Sequence, residues 1–128
     1  MLSGFFFDIQ SFTVDESNTA QQKCIVHVSL NGSHPIYHGH FPGNPVVPGV
    51  CQIQILKELV ETAVHHPVML KEADNIKFLS MINPDVNPLL EFNMLIKPDI
   101  DQNLSVTASI ASGASVFLKF KGKFEFSE

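Results

Sequence analysis

Residues 49 to 64 read Gly49-Val50-Cys51-Gln52-Ile53-Gln54-Ile55-Leu56-Lys57-Glu58-Leu59-Val60-Glu61-Thr62-Ala63-Val64. After Gly49 this run contains neither glycine nor proline. Val50, Ile53, Leu56, Val60 and Val64 recur at helical spacing, and Ile55, Leu59 and Ala63 add apolar surface on a second side. A helix that is apolar around most of its girth has to be enclosed rather than lie on a surface. His65-His66-Pro67 ends it, with imidazoles at the negative end of the helix dipole and a proline that cannot continue the turn.

The segments on either side read as strands. Gly4 to Val14 is rich in Phe, Ile, Thr and Val, the polar cluster Asp15-Glu16-Ser17-Asn18 turns the chain, and Lys23 to Leu30 alternates Cys24, Val26, Val28 and Leu30 on one face. Asn31-Gly32-Ser33 carries turn chemistry, and the proline-rich stretch from Pro35 to Pro48 is expected to be an ordered loop without helix or central strand. Beyond the helix, strands are expected over Asn75 to Ile82, Leu89 to Lys97, Leu104 to Ala111 and Val116 to Phe126. The last has the clearest period of two, with Leu118, Phe120, Phe124 and Phe126 on one face and Lys119, Lys121, Lys123 and Glu125 on the other. Only an antiparallel sheet remains to cover the helix, so the expected class is α+β, a sheet wrapped around a long central helix.

Composition narrows the function. With 128 residues and 45% hydrophobic content, residues 1–128 are expected to form a single domain. The net charge is −5 and every basic residue is a lysine, which argues against a nucleic-acid partner. Cys24 and Cys51 lack the spacing of a redox or zinc motif and read as reduced and buried. Met1 to Gln10 has no basic region ahead of Phe5-Phe6-Phe7, so no signal peptide or membrane span is expected and the location predicted is cytoplasmic.

Immediately before the helix stands His40-Phe41-Pro42-Gly43-Asn44-Pro45-Val46-Val47-Pro48-Gly49-Val50. This segment resembles the active-site signature of the 3-hydroxyacyl-acyl-carrier-protein dehydratases, a family with the hot-dog fold. The resemblance runs from about Phe5 to Phe126, and includes Pro35-Ile36-Tyr37 before Gly39-His40 and the stretch from Ile76 to Asp85. The additional segment that precedes the first strand in that family is expected to lack a counterpart. The resemblance implies a thioester substrate on acyl carrier protein or coenzyme A, loss of water to a trans-2-enoyl product, no cofactor, no metal, and a homodimer or dimer of dimers. It implies His40 as the base, a role suited to an imidazole whose pKa lies near working pH. The Gly49 N–H, with Val50 beside it, would receive the thioester oxygen at the helix N-terminus. The Val46 carbonyl would orient the histidine, and Phe41 and His38 would border the pocket. Proline fixes φ at positions 42, 45 and 48, so the loop loses little entropy in holding this arrangement.

One position departs from the pattern. Where the family has a glutamate or aspartate fourteen residues after the histidine, this chain has Gln54, which can hold a hydroxyl but cannot donate a carboxylic proton. One turn on, where the family often has glutamine, stands Glu58, about 6 Å further along the axis. Glu58 is a candidate replacement acid, set against a plainer reading as a solvated or ion-paired residue beside Lys57 and Glu61. Three functions follow: an altered dehydratase, an acyl-thioester binder without dehydration, or a thioesterase. His38 and His40 form a His-x-His pair with no third ligand in sequence, which disfavours a metal site. Lys119, Lys121 and Lys123 could dock an acidic carrier protein, but alternating lysines more often solubilise a strand.

Overall fold

The computed structural model describes residues 2–15, 17–18, 20–39 and 43–128. Its elements, in chain order, are β1 (Phe7–Asp15), β2 (Gln22–Leu30), α1 (Ile36–Gly39), α2 (Gly49–Val64), β3 (Val68–Phe78), β4 (Leu89–Pro98), β5 (Leu104–Ser112) and β6 (Ser115–Phe126). The six strands form one antiparallel sheet in the order β1-β2-β4-β5-β6-β3. Strand β3 lies at the far edge from β2, so α2 is the connection that carries the chain across the width of the sheet.

Helix α2 supplies the centre of the core. Ile55, Leu56, Leu59 and Val60 are buried in one cluster with Val26 and Val28 of β2, Leu90, Phe92 and Met94 of β4, Val106 and Ile110 of β5, and Leu118, Phe120 and Phe124 of β6. Each such side chain contributes about 1.5–3 kcal/mol when fully removed from water. The expected architecture of a sheet around a helix is therefore what forms. The helix is less completely enclosed around its girth than its periodicity suggested, however. Val50 is 80% exposed and Ile53 and Val64 are only partly buried, because the buried surface rotates toward Cys51, Gln52 and Ala63. At the C-terminus, His65 takes the left-handed conformation, and its N–H donates to the Glu61 carbonyl.

Three boundaries differ from those read in the sequence. The strand expected over Asn75 to Ile82 starts at Val68, directly after the helix, and ends at Phe78. Its early part is a charged edge exposed on both faces, with irregularities at Leu70/Glu72 and Ala73/Asn75 that erase the period of two. Within the proline-rich stretch, Ile36–Gly39 forms one helical turn, since a proline at the helix start gives up only an N–H that would lack a partner anyway. The first strand starts at Phe7 rather than Gly4. Phe5 and Phe6 donate to the Leu2 carbonyl in a turn that leaves Phe5 exposed and buries Phe6 and Phe7. No helix among the described residues is long and apolar enough to cross a membrane.

Candidate active site at the start of the central helix

The proline loop reaches α2 through Pro48, whose extended backbone (φ −59°, ψ 145°) forms the N-cap without any side-chain cap. The Pro48 carbonyl accepts from the Cys51 and Gln52 amides at 3.0 and 3.1 Å. Among the described residues, neither the Gly49 nor the Val50 N–H has an acceptor. Those two amides carry the positive end of the helix dipole. Gly49 lies against the Phe78 ring, so closely that a Cβ there would sit 2.8 Å from Cζ. The Val47 N–H donates to the Ile82 carbonyl at 2.8 Å, so the segment after β3 runs alongside the loop and fixes where the helix begins.

Gln52 adds a tie that the sequence reading passed over. It is 4% exposed, and its Nε2 donates to the Val47 carbonyl at 3.2 Å, holding the loop onto the first turn of the helix. The signal was present, because Gln52 stands four and eight residues before the core positions Leu56 and Val60. Cys51, in the same turn, is a free thiol whose pKa is pushed up by burial, which keeps it protonated and unsuited to nucleophilic attack. Burial likewise pushes up the pKa of the neighbouring Tyr37 phenol, with smaller contributions from Cys51 and Asp85.

Val50, Gln54 and Glu58 follow one another at intervals of four along one face of α2, from the exposed helix start to a buried position. Gln54 Nε2 donates to Glu58 Oε2 at 3.0 Å. The Glu58 carboxylate also accepts from the backbone of the N-terminal turn, Leu2 N–H at 2.7 Å on Oε2 and Ser3 N–H at 3.0 Å on Oε1. It is 7% exposed, so the reading of Glu58 as solvated or ion-paired does not hold; Lys57 pairs with Glu61 instead, at 3.9 Å. A carboxylate can only accept, so the Gln54 amide must turn its NH2 toward Glu58, which leaves Oε1 and the second N–H of that NH2 for other partners. The position of the family acid thus presents an acceptor oxygen.

The other candidates are scattered around this start. Val46 is half-buried in the loop, and His38 is exposed in the last turn of α1. His40 and Phe41 lie outside the described residues. Among the described residues no group of three His, Cys, Asp or Glu side chains is placed to hold a metal ion.

Comparison with known proteins agrees with this fold. The family model described as ApeI dehydratase, ApeI-like, matches residues 16–114. A 3-hydroxyacyl-[acyl-carrier-protein] dehydratase FabZ of Wolbachia pipientis wMel is 34% identical over 82 residues, which are 56% of this chain and 54% of that protein. The corresponding FabZ of Caldicellulosiruptor saccharolyticus is 29% identical over 80 residues, 57% of this chain and 56% of its own. The chain thus spans about half the length of the curated relatives it matches. Among solved structures, an uncharacterized protein from Erwinia carotovora subsp. atroseptica superposes with a TM-score of 0.66 at 20% identity, over 93% of this chain and 94% of that one. The dehydratase heterocomplex ApeI:P from Xenorhabdus doucetiae superposes with a TM-score of 0.60 at 18% identity, over 88% and 94%. These likenesses show the shared hot-dog fold, and the family match over most of the chain shows that it belongs to the ApeI-like dehydratase family.

Proposed function

We propose that the protein dehydrates 3-hydroxyacyl thioesters, carried on acyl carrier protein or coenzyme A, to trans-2-enoyl thioesters. The observation that carries this reading is the uncapped start of α2, where the Gly49 and Val50 amides are left for a thioester oxygen beside the proline loop. In the reaction His40 takes the C2 proton as charge develops on the thioester oxygen at Gly49. The C3–O bond then breaks, and the departing oxygen needs one proton to leave as water. Glu58 already accepts from three N–H groups and Gln54 has no acidic proton, so the imidazolium formed at His40 returns that proton. Gln54 Oε1 accepts from the substrate hydroxyl and holds it toward His40. A homodimer or dimer of dimers completes the site.

A 3-hydroxyacyl thioester should give a conjugated enoyl product, followed by ultraviolet absorbance, and His40→Ala should slow its formation by about 100-fold or more. A folded protein that turns over no chain length would defeat this reading. It would leave the second one, an acyl-thioester binder, which the lack of an acidic proton at Gln54 favours. Release of free thiol without enoyl product would instead point to hydrolysis.

A further inference from the structure

The face of the sheet turned away from α2 carries a groove of about 580 Å³ across β2, β4, β5, β6 and β3. Its charge is one-sided. Four of the chain's eight lysines, Lys23, Lys77, Lys119 and Lys121, line it, and among the described residues no carboxylate does, although the chain as a whole carries −5.

The strand register explains how these charges converge. Lys77 on β3 is directly opposite Lys119 on β6, and Lys121 follows two residues on along the same face. On the other side of β6, Ser109 is opposite Lys119 and Thr107 is opposite Lys121, and Asn93 and Leu95 of β4 continue the floor beyond them. Lys23 stands three strands from Lys121 and is opposite Asp15 of β1, whose carboxyl is held low chiefly by hydrogen bonds from Ser17 and only last by Lys23. Lys77, Lys119 and Lys121 make no ion pair among the described residues. Like charges directly opposite on neighbouring strands destabilise a sheet. A solubilising surface would mix signs instead, and this chain has acids enough to do so.

We propose that this groove docks an acidic segment of a partner protein. The lysines span about 14 Å from β2 to β6 and about 19 Å to β3, at roughly 4.8 Å per strand, a spacing suited to successive carboxylates along a polypeptide. A compact phosphate site is usually completed by converging amides or a bidentate arginine. Here the strand amides are committed to the ladder, and the chain has no arginine. The groove and the start of α2 are on opposite faces of the sheet, so this docking does not depend on the acyl chemistry.

The test uses the full chain and fluorescein-labelled poly-L-glutamate, read by anisotropy at low salt. Binding should weaken as salt is raised. Lys119→Glu/Lys121→Glu should weaken it at least tenfold, and the charge-matched Lys71→Glu/Lys97→Glu, outside the groove, less than twofold. Lys77→Glu should also raise the melting temperature, because it turns a repulsive cross-strand pair into an attractive one. The proposal is overturned by absence of binding, by equal losses in the two double variants, by displacement of the peptide by an equal charge of inorganic pyrophosphate, or by a lower melting temperature in Lys77→Glu.

Discussion

Gln54 and Glu58 reverse the order of acid and amide that the resemblance leads one to expect along this helix face, and the geometry explains how the reversal is accommodated. Glu58 is spent on two backbone amides and the Gln54 NH2, so moving the acid back has defined costs. In Gln54→Glu two carboxylates would occupy sites now 3.0 Å apart, where they cannot both ionise easily, and one of them would be raised above its ordinary range. That protonated carboxyl is the acid the parent lacks, and the rate of enoyl formation should rise about tenfold or more, within the range positioned acids supply. The sign of the linked stability follows. A carboxyl raised in the folded state stabilises at low pH and loses that contribution as pH rises through its folded pKa, so melting of this variant should fall on the alkaline side relative to the parent. In Glu58→Gln one of the two N-terminal amides would face an NH2, at a cost of about 1–3 kcal/mol in chemical denaturation. A Gln54→Glu variant no faster than the parent would mean that the missing acid does not limit the reaction.

Gly122 in β6 decides how closely β3 can approach. A Cβ there would lie 2.5 Å from the Glu72 carbonyl oxygen and 3.3 Å from the Ala73 Cα, both backbone atoms that cannot swing aside. Gly122→Ala should destabilise the fold by about 1–3 kcal/mol in urea unfolding, the usual cost of overpacking, and a neutral result would mean that β3 shifts freely. Gly49→Ala meets only the half-exposed Phe78 ring, which can rotate, so the two glycines differ in kind. Strands β4, β5 and β6 were legible in the sequence because one face of each is buried, and period-two alternation records that. β3 was not, since its charged edge and two irregularities leave no alternation to read. The helix start was equally legible, being local in sequence, whereas the helical turn Ile36–Gly39 inside the proline-rich stretch was not. The use made of Glu58 was not, because its partner amides are 55 and 56 positions away and main-chain donors leave no trace in residue type. Gly122 is an intermediate case, since a glycine inside an otherwise regular strand already signals close approach of another backbone.

The sheet as a whole has two unequal edges. β1 is polar along much of its length and bulged between Ile9 and Ser11, features that discourage pairing with another chain. β3 instead exposes Met69 and Leu70 at 54% and 38%, and the chain continues through half-exposed Phe78 and Leu79 to Met81 beside the loop that starts α2. Exposed apolar side chains at either end of this charged edge, the second group beside the proposed site, suit a second copy related by a two-fold axis, with β3 facing β3 and each site bordered by its neighbour. The full chain should therefore have the mass of a dimer, or a multiple of it, by light scattering at micromolar concentration. Met69→Lys/Leu70→Lys should shift it to the monomer by placing four like charges at the joint, and since both positions precede the residues at the loop, the fold of each copy should persist by circular dichroism. If the neighbour completes the site, enoyl formation should fall with the dimer fraction and recover as protein concentration is raised. A monomeric parent, or a monomeric variant with full activity, would show that one copy suffices.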